Sequence, residues 1–141
     1  MTYKLYTDGG ARGNPGPAAV GIILFDEEDK LVWIESCYLG NTTNNYAEYQ
    51  AILLGLKYCI KHIDKKHTIM CHLDSELIVK QLNGEYKVKN KALLSINNEV
   101  KDLVAERHVI FKHVFREFNK FADKLVNISL DAANEKSKTN N

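Results

Sequence analysis

The feature that most constrains this chain is a change of hydrophobic period near residue 42. Before it, residues 3–10 set Tyr3, Leu5 and Thr7 against Lys4, Tyr6 and Asp8, the two-residue alternation of a strand. Ala18 to Phe25 is a second small and branched apolar run, closed by the acidic turn 26–29, and Leu31 to Leu39 is a third. Three sequential strands with short connections predict an antiparallel meander. From Asn44 to about His62 the pattern switches: Tyr49, Ile52, Leu53, Leu56 and Ile60 recur at three- and four-residue steps, which predicts an amphipathic helix.

The remainder alternates between the two periods. His67 to Leu73 reads as a strand ending in Asp74. A short helix over 76–82 stops at Asn83 and Gly84, a helix-end pair. A basic linker with Lys87, Lys89 and Lys91 leads to a second long helix carrying Leu93, Leu94, Ile96, Val100, Leu103 and Val104. His108 to Val114 is the fifth strand. The last helix runs from Asn119 to about Ala132, with Phe118, Phe121, Ala122, Leu125, Ile128 and Ser129 on its expected buried side. The order βββαβααβα predicts an α/β fold. Its mixed five-stranded sheet has three antiparallel strands, then two parallel additions made through right-handed crossovers, with helices on both faces.

At 141 residues the chain is expected to be one domain, residues 1–133, followed by a polar disordered tail over 134–141 that has no apolar residue. A net charge of +1 excludes a global polyanion-attracting field, so any nucleic-acid binding must use local clusters. No run approaches the roughly 18 apolar residues of a membrane span, so no membrane partner is expected. Met1 directly precedes strand residues, which leaves no room for a leader and makes the cytoplasm the expected compartment. Three cysteines without C-x-x-C spacing read as reduced core thiols, with no zinc site.

Chemistry enters through the stretch 5–16, where Asp8 is followed by Gly9, Gly10, Gly13 and Gly16. Glycines let backbone approach a bulky neighbour, and the plain alternative is a tight turn capped by the Asp. Three further acids fall at comparable places. Glu48 lies one turn into the first long helix, at capping-box spacing from Asn45. Asp74 sits between a strand end and a helix, as a ligand group or as an N-cap. Asp123 lies in the first turns of the last helix, where an exposed dipole contact is the plain alternative. Converging carboxylates repel unless a cation neutralises them. All-oxygen ligation suits Mg²⁺ or Mn²⁺, and a pair of such ions can activate water and stabilise the leaving oxygen of a phosphodiester.

Four ordered motifs, TDGGARGNPG, TTNNYAEYQAILLGL, LDSELIVKQLNGEYKVKN and HVFREFNKFADKLVN, together resemble the type 1 ribonuclease H family over about residues 3–131. The resemblance implies the fold derived above. It implies a metal-dependent endonuclease that cuts the RNA strand of RNA/DNA hybrids to 5′-phosphate and 3′-hydroxyl products. Asp8, Glu48, Asp74 and Asp123 would be the catalytic carboxylates and the ligands of two ions. Asn14, Thr43, Asn44 and Asn45 would contact the nucleic-acid strands, with Gly9, Gly10, Arg12 and Asn119 as further substrate-binding positions. The glycine loop would let backbone reach the 2′-hydroxyls that distinguish RNA from DNA. The expected form is a monomer.

Two departures qualify the resemblance. Many members carry a His in a glycine-containing loop before the last helix, where this chain has Val114-Phe115-Arg116-Glu117-Phe118-Asn119. Arg116 is the candidate to take part of that role by neutralising a phosphate; a surface Arg paired with Glu117 is the plain alternative. Residues 84–106 are too short for the basic handle helix of some members. Alternatives to hybrid cleavage are a binding module for hybrid or double-stranded RNA without catalysis, and a broader nuclease that also cuts RNA/RNA duplexes. An integrase-like nuclease would carry a final Glu and lack Glu48.

Overall fold

The computed structural model describes residues 1–139. Its elements are β1 (Thr2–Ala11), β2 (Gly16–Phe25), β3 (Leu31–Thr42), α1 (Asn44–His62), β4 (Thr68–Leu73), α2 (Glu76–Leu82), α3 (Lys91–Leu103), β5 (Val109–His113) and α4 (Lys120–Thr139), with a 3-10 turn at Arg116–Phe118 before α4. The five strands form one sheet in the order β3-β2-β1-β4-β5, the mixed arrangement expected. β1 is central, antiparallel to β2 and parallel to β4.

Strand alternation sorts β1 and β2 between two cores. Leu5 with Val20, Ile22 and Leu24 face α1, and with Tyr49, Ile52 and Leu56 they form the main core, which extends to α2 and α3. The opposite face carries α4 and a smaller cluster of Ala19, Val126 and Leu130. Cys59 and Cys71 are buried, and all three cysteines are free thiols. Among the described residues, no helix is long and apolar enough to cross a membrane.

Two expectations are corrected. The buried face of α4 is not the aromatic one: Phe118, Phe121 and Ile128 are exposed, whereas Ala122, Val126 and Leu130 are buried. The reason lies on β2. A Cβ on Gly21 would stand 2.1 Å from the Ala122 carbonyl oxygen, so the helix lies against the sheet at a distance that only small residues permit. The second correction concerns the polar tail: α4 continues past residue 133 to Thr139. Once a helix is nucleated, each further residue gains a hydrogen bond, and a polar run can extend it. The rest of the expected tail, residues 140–141, lies outside the described residues.

Candidate active site

β1 and β4 run in parallel, and their paired register ends with Tyr6 opposite His72. Two residues further along each chain stand Asp8 and Asp74, so the register alone brings these carboxylates level. Asp74 does not cap α2, because Ser75 is the N-cap and its hydroxyl accepts from the Ile78 N–H.

Glu48 arrives from the main-core face. The N-cap of α1 is Thr43, which accepts from Tyr46 N–H at 3.2 Å, so the capping-box alternative for Glu48 is not the one adopted. Gly9 sets how near α1 lies. A Cβ there would be 2.2 Å from the Ala47 carbonyl carbon, next to Glu48, and any side chain would drive the helix off the strand. Asp123 arrives from the other face, where Gly21 pairs directly with Asp8 across β1 and β2 and admits α4.

One carboxylate oxygen from each of Asp8, Glu48 and Asp74 lies within 4.8 Å of the others. The charge of Asp123 also bears on the Asp8 carboxyl. Burial, followed by repulsion from Asp74, Glu48 and Asp123, pushes the Asp8 carboxyl up to about 8. Burial and the charge of Asp74 raise Glu48 to about 8 as well, with a hydrogen bond from Ser75 and the charge of Arg116 pulling the other way. Glu48 Oε2 is buried with no hydrogen-bond partner. An acid cluster that strains against its own charge, with an orphaned oxygen and no thiolate or imidazole in it, fits a hard divalent cation.

Asp8, Glu48 and Asp123 open into a cleft of about 330 Å³ that Gly10, Arg12, Asn44, Arg116 and Asn127 also line. Asn14, Thr43 and Asn45 line a different groove, of about 340 Å³, together with Asn90. The loop and α1 are laced together between the two: Ala11 N–H donates to Asn44 Oδ1 at 2.7 Å, and Asn44 N–H donates to Asn14 Oδ1 at 3.0 Å. Arg12 is turned toward α4 and donates to Asp131 at 2.7 Å and Asn127 at 3.1 Å.

One sequence expectation changes here, and another gains a second reason. Asn119, expected to touch substrate, is 1% exposed and donates to the Thr7 carbonyl at 2.9 Å, because the turn after β5 folds its amide under the sheet end. Gly9 is needed for helix approach, beyond any contact it offers to a ligand. Sequence reasoning missed Ser75, Asn90 and Asn127. Their signals were faint: Ser75 adjoins Asp74, Asn127 is one helical turn past Asp123, and Asn90 is the N-cap of α3.

The chain matches the family described as Reverse transcriptase-like over residues 6–129. It is 36% identical over 135 residues to the Bifunctional protein Rv2228c of Mycobacterium tuberculosis, covering 94% of this chain and 36% of that protein. It is 35% identical over 129 residues to the Ribonuclease HI of Halobacterium salinarum, covering 91% of this chain and 64% of that protein. The chain thus spans about a third of the mycobacterial relative and under two thirds of the haloarchaeal one. Among solved structures, LC11-RNase H1, isolated from compost, superposes with a TM-score of 0.89 at 42% identity, covering 94% of this chain and 97% of that one. The same protein in complex with an RNA/DNA hybrid gives a TM-score of 0.85 at 41% identity, covering 93% and 98%.

Proposed function

We propose, from the premise that this chain belongs to the type 1 ribonuclease H family, that it hydrolyses the RNA strand of RNA/DNA hybrids. The products would carry a 5′-phosphate and a 3′-hydroxyl. The observation that carries this reading is the convergence of Asp8, Glu48 and Asp74 to within 4.8 Å, around an unpartnered Glu48 oxygen. The hybrid complex of LC11-RNase H1 supports the choice of substrate.

Asp8, Glu48, Asp74 and Asp123 would hold two Mg²⁺ or Mn²⁺ ions, the first three being the acids whose oxygens converge. When bound, such ions supply a hydroxide-like nucleophile near neutral pH and stabilise the leaving oxygen. The chain's own residues do the rest. Arg116, in the wall of the cleft beside Asp123, neutralises the phosphate being cut. Gly10 and Asn44 present backbone and amide along the cleft, where the 2′-hydroxyls of an RNA strand can be read. Asn14, Thr43 and Asn45 take the second strand in the neighbouring groove.

The test uses labelled RNA/DNA, RNA/RNA and DNA/DNA duplexes in Mg²⁺, Mn²⁺ or EDTA, with wild type and Asp8→Asn. RNA in the hybrid is cut by wild type, and cutting is lost in EDTA and in Asp8→Asn by at least about 10³-fold. Full activity of Asp8→Asn overturns the mechanism. Binding without cutting in every metal would favour a binding module, and cutting of RNA/RNA would favour the broader nuclease.

A further inference from the structure

Asn119 is a buried amide that donates to one defined acceptor, and it lies between the elements that carry three charged groups of the cleft. The ladder between β1 and β4 ends at Tyr6 and His72. The Thr7 carbonyl, one residue on and one before Asp8, accepts from Asn119 Nδ2 at 2.9 Å. The Asn119 backbone works in both chain directions. Its N–H donates to the Arg116 carbonyl at 2.9 Å, closing the 3-10 turn, and its carbonyl accepts from the Asp123 N–H at 3.1 Å, opening α4. The residue is 1% exposed, and its Oδ1 is buried without a partner. One residue thus ties the strand end that carries Asp8, through its side chain, to the turn that carries Arg116 and the helix that carries Asp123, which its backbone joins. An amide with an unsatisfied buried oxygen costs stability that an apolar residue of similar size would not. That cost is intelligible if the geometry it enforces serves the site.

We propose that Asn119 is a positioning residue. Through the Thr7 carbonyl it fixes the separation of Asp8 from Asp123 and Arg116, and so sets how well the carboxylates hold a divalent cation. The proposal rests on the reading of Asp8 and Asp123 as metal-holding groups, and the experiment separates the two. Mn²⁺ binding is measured by titration calorimetry without substrate, and kcat and KM are measured on the hybrid, for wild type, Asn119→Ala, Asn119→Ser and Val100→Ala. Val100 is fully buried in the main core, away from the cleft, and its variant controls for lost stability alone.

Asn119→Ala is expected to weaken Mn²⁺ binding by about 10-fold or more and to lower kcat by a similar factor, as for other groups that orient metal ligands, with KM little changed. Asn119→Ser, which keeps a donor of shorter reach, should fall between Ala and wild type. Val100→Ala should bind Mn²⁺ as wild type does. Wild-type Mn²⁺ affinity in a folded Asn119→Ala overturns the proposal, as does an equal loss in Val100→Ala. Failure of both Asn119 variants to fold overturns it too, since the residue would then serve folding alone. A wild-type protein that neither binds Mn²⁺ nor cuts hybrid overturns the functional reading instead.

Discussion

Asp8 and Glu48 are carboxylic acids held where a carboxylate is costly. Their folded-state values near 8 lie well above the ordinary carboxylate range. Between roughly pH 4 and 8 the metal-free folded state therefore binds more protons than the unfolded chain, and its stability falls as pH rises through that window. Removing one charge should relieve this strain. Asp8→Asn is expected to stabilise the metal-free protein by about 1–2 kcal/mol at pH 8, in line with other active-site neutralisations. The gain should shrink toward pH 5, where the wild-type acids are already protonated. Urea unfolding in EDTA at the two pH values measures it. An Asp8→Asn variant no more stable than wild type at pH 8 would mean that the acids do not strain against one another. The convergence of Asp8, Glu48 and Asp74 was legible in the sequence because each follows a strand end or opens a helix. The role of Asn119 was not, since an amide before a helix reads the same whether it meets solvent or a strand carbonyl.

At the scale of elements, two glycines decide how the helices deliver their acids. Gly9 admits α1 to one face of β1, and Gly21 admits α4 to the other face of the same sheet. α1 is braced further by a buried chain of hydrogen bonds, from Asn97 of α3 to the Tyr49 hydroxyl and from that hydroxyl to Gln81 of α2, beside Glu48 in sequence. α4 is held from β3, where Ser36 bonds to the Leu125 carbonyl and to Ser129, and from Arg12, which donates to Asn127 and Asp131. Gly21→Ala should therefore act chiefly on α4. The added methyl meets backbone at Ala122 and cannot be relieved by turning a side chain. We expect a loss of about 1–3 kcal/mol, the usual scale of overpacking, together with a fall in turnover as Asp123 moves away from Asp8. Denaturant unfolding and hybrid cleavage measure the two effects. Retained turnover with lost stability would show that the position of α4 is not critical for Asp123. The same glycine explains why the buried face of α4 was misread. Phe118, Phe121 and Ile128 carry a valid helical period, and the choice between that stripe and the one that the expected Ala122 shares with Val126 and Leu130 is made by a residue about a hundred positions earlier in the chain. Hydrophobic period identifies an element well, but it does not say how close its neighbour will let it come.

At the scale of the whole molecule, the sheet order was legible because strand connections leave few alternatives, whereas the division of the predicted strand contacts between two grooves was not. That division depends on α1, whose N-terminus stands between them. Asn44 faces the acidic cleft, while Thr43 and Asn45 face the groove shared with Asn90. Asn90 is flanked in sequence by Lys89 and Lys91, and with Lys87 all three lysines are exposed. A chain of net charge +1 has no general field to attract a hybrid, so a local basic edge beside the second groove should carry a measurable share of affinity. Counterion release makes that share readable: each phosphate contact contributes about 0.9 to the slope of log K against log salt. Lys87, Lys89 and Lys91 replaced together by Ala should flatten the slope by roughly 2–3 and weaken hybrid binding most at low salt. At saturating hybrid the turnover should stay at the wild-type value, because the carboxylates lie on the other side of the α1 N-terminus. Fluorescence anisotropy across a salt series, with EDTA present to prevent cutting, gives the slope directly. An unchanged slope would place the hybrid away from the α3 edge and would confine its contacts to the cleft that Asp8, Arg116 and Asp123 line.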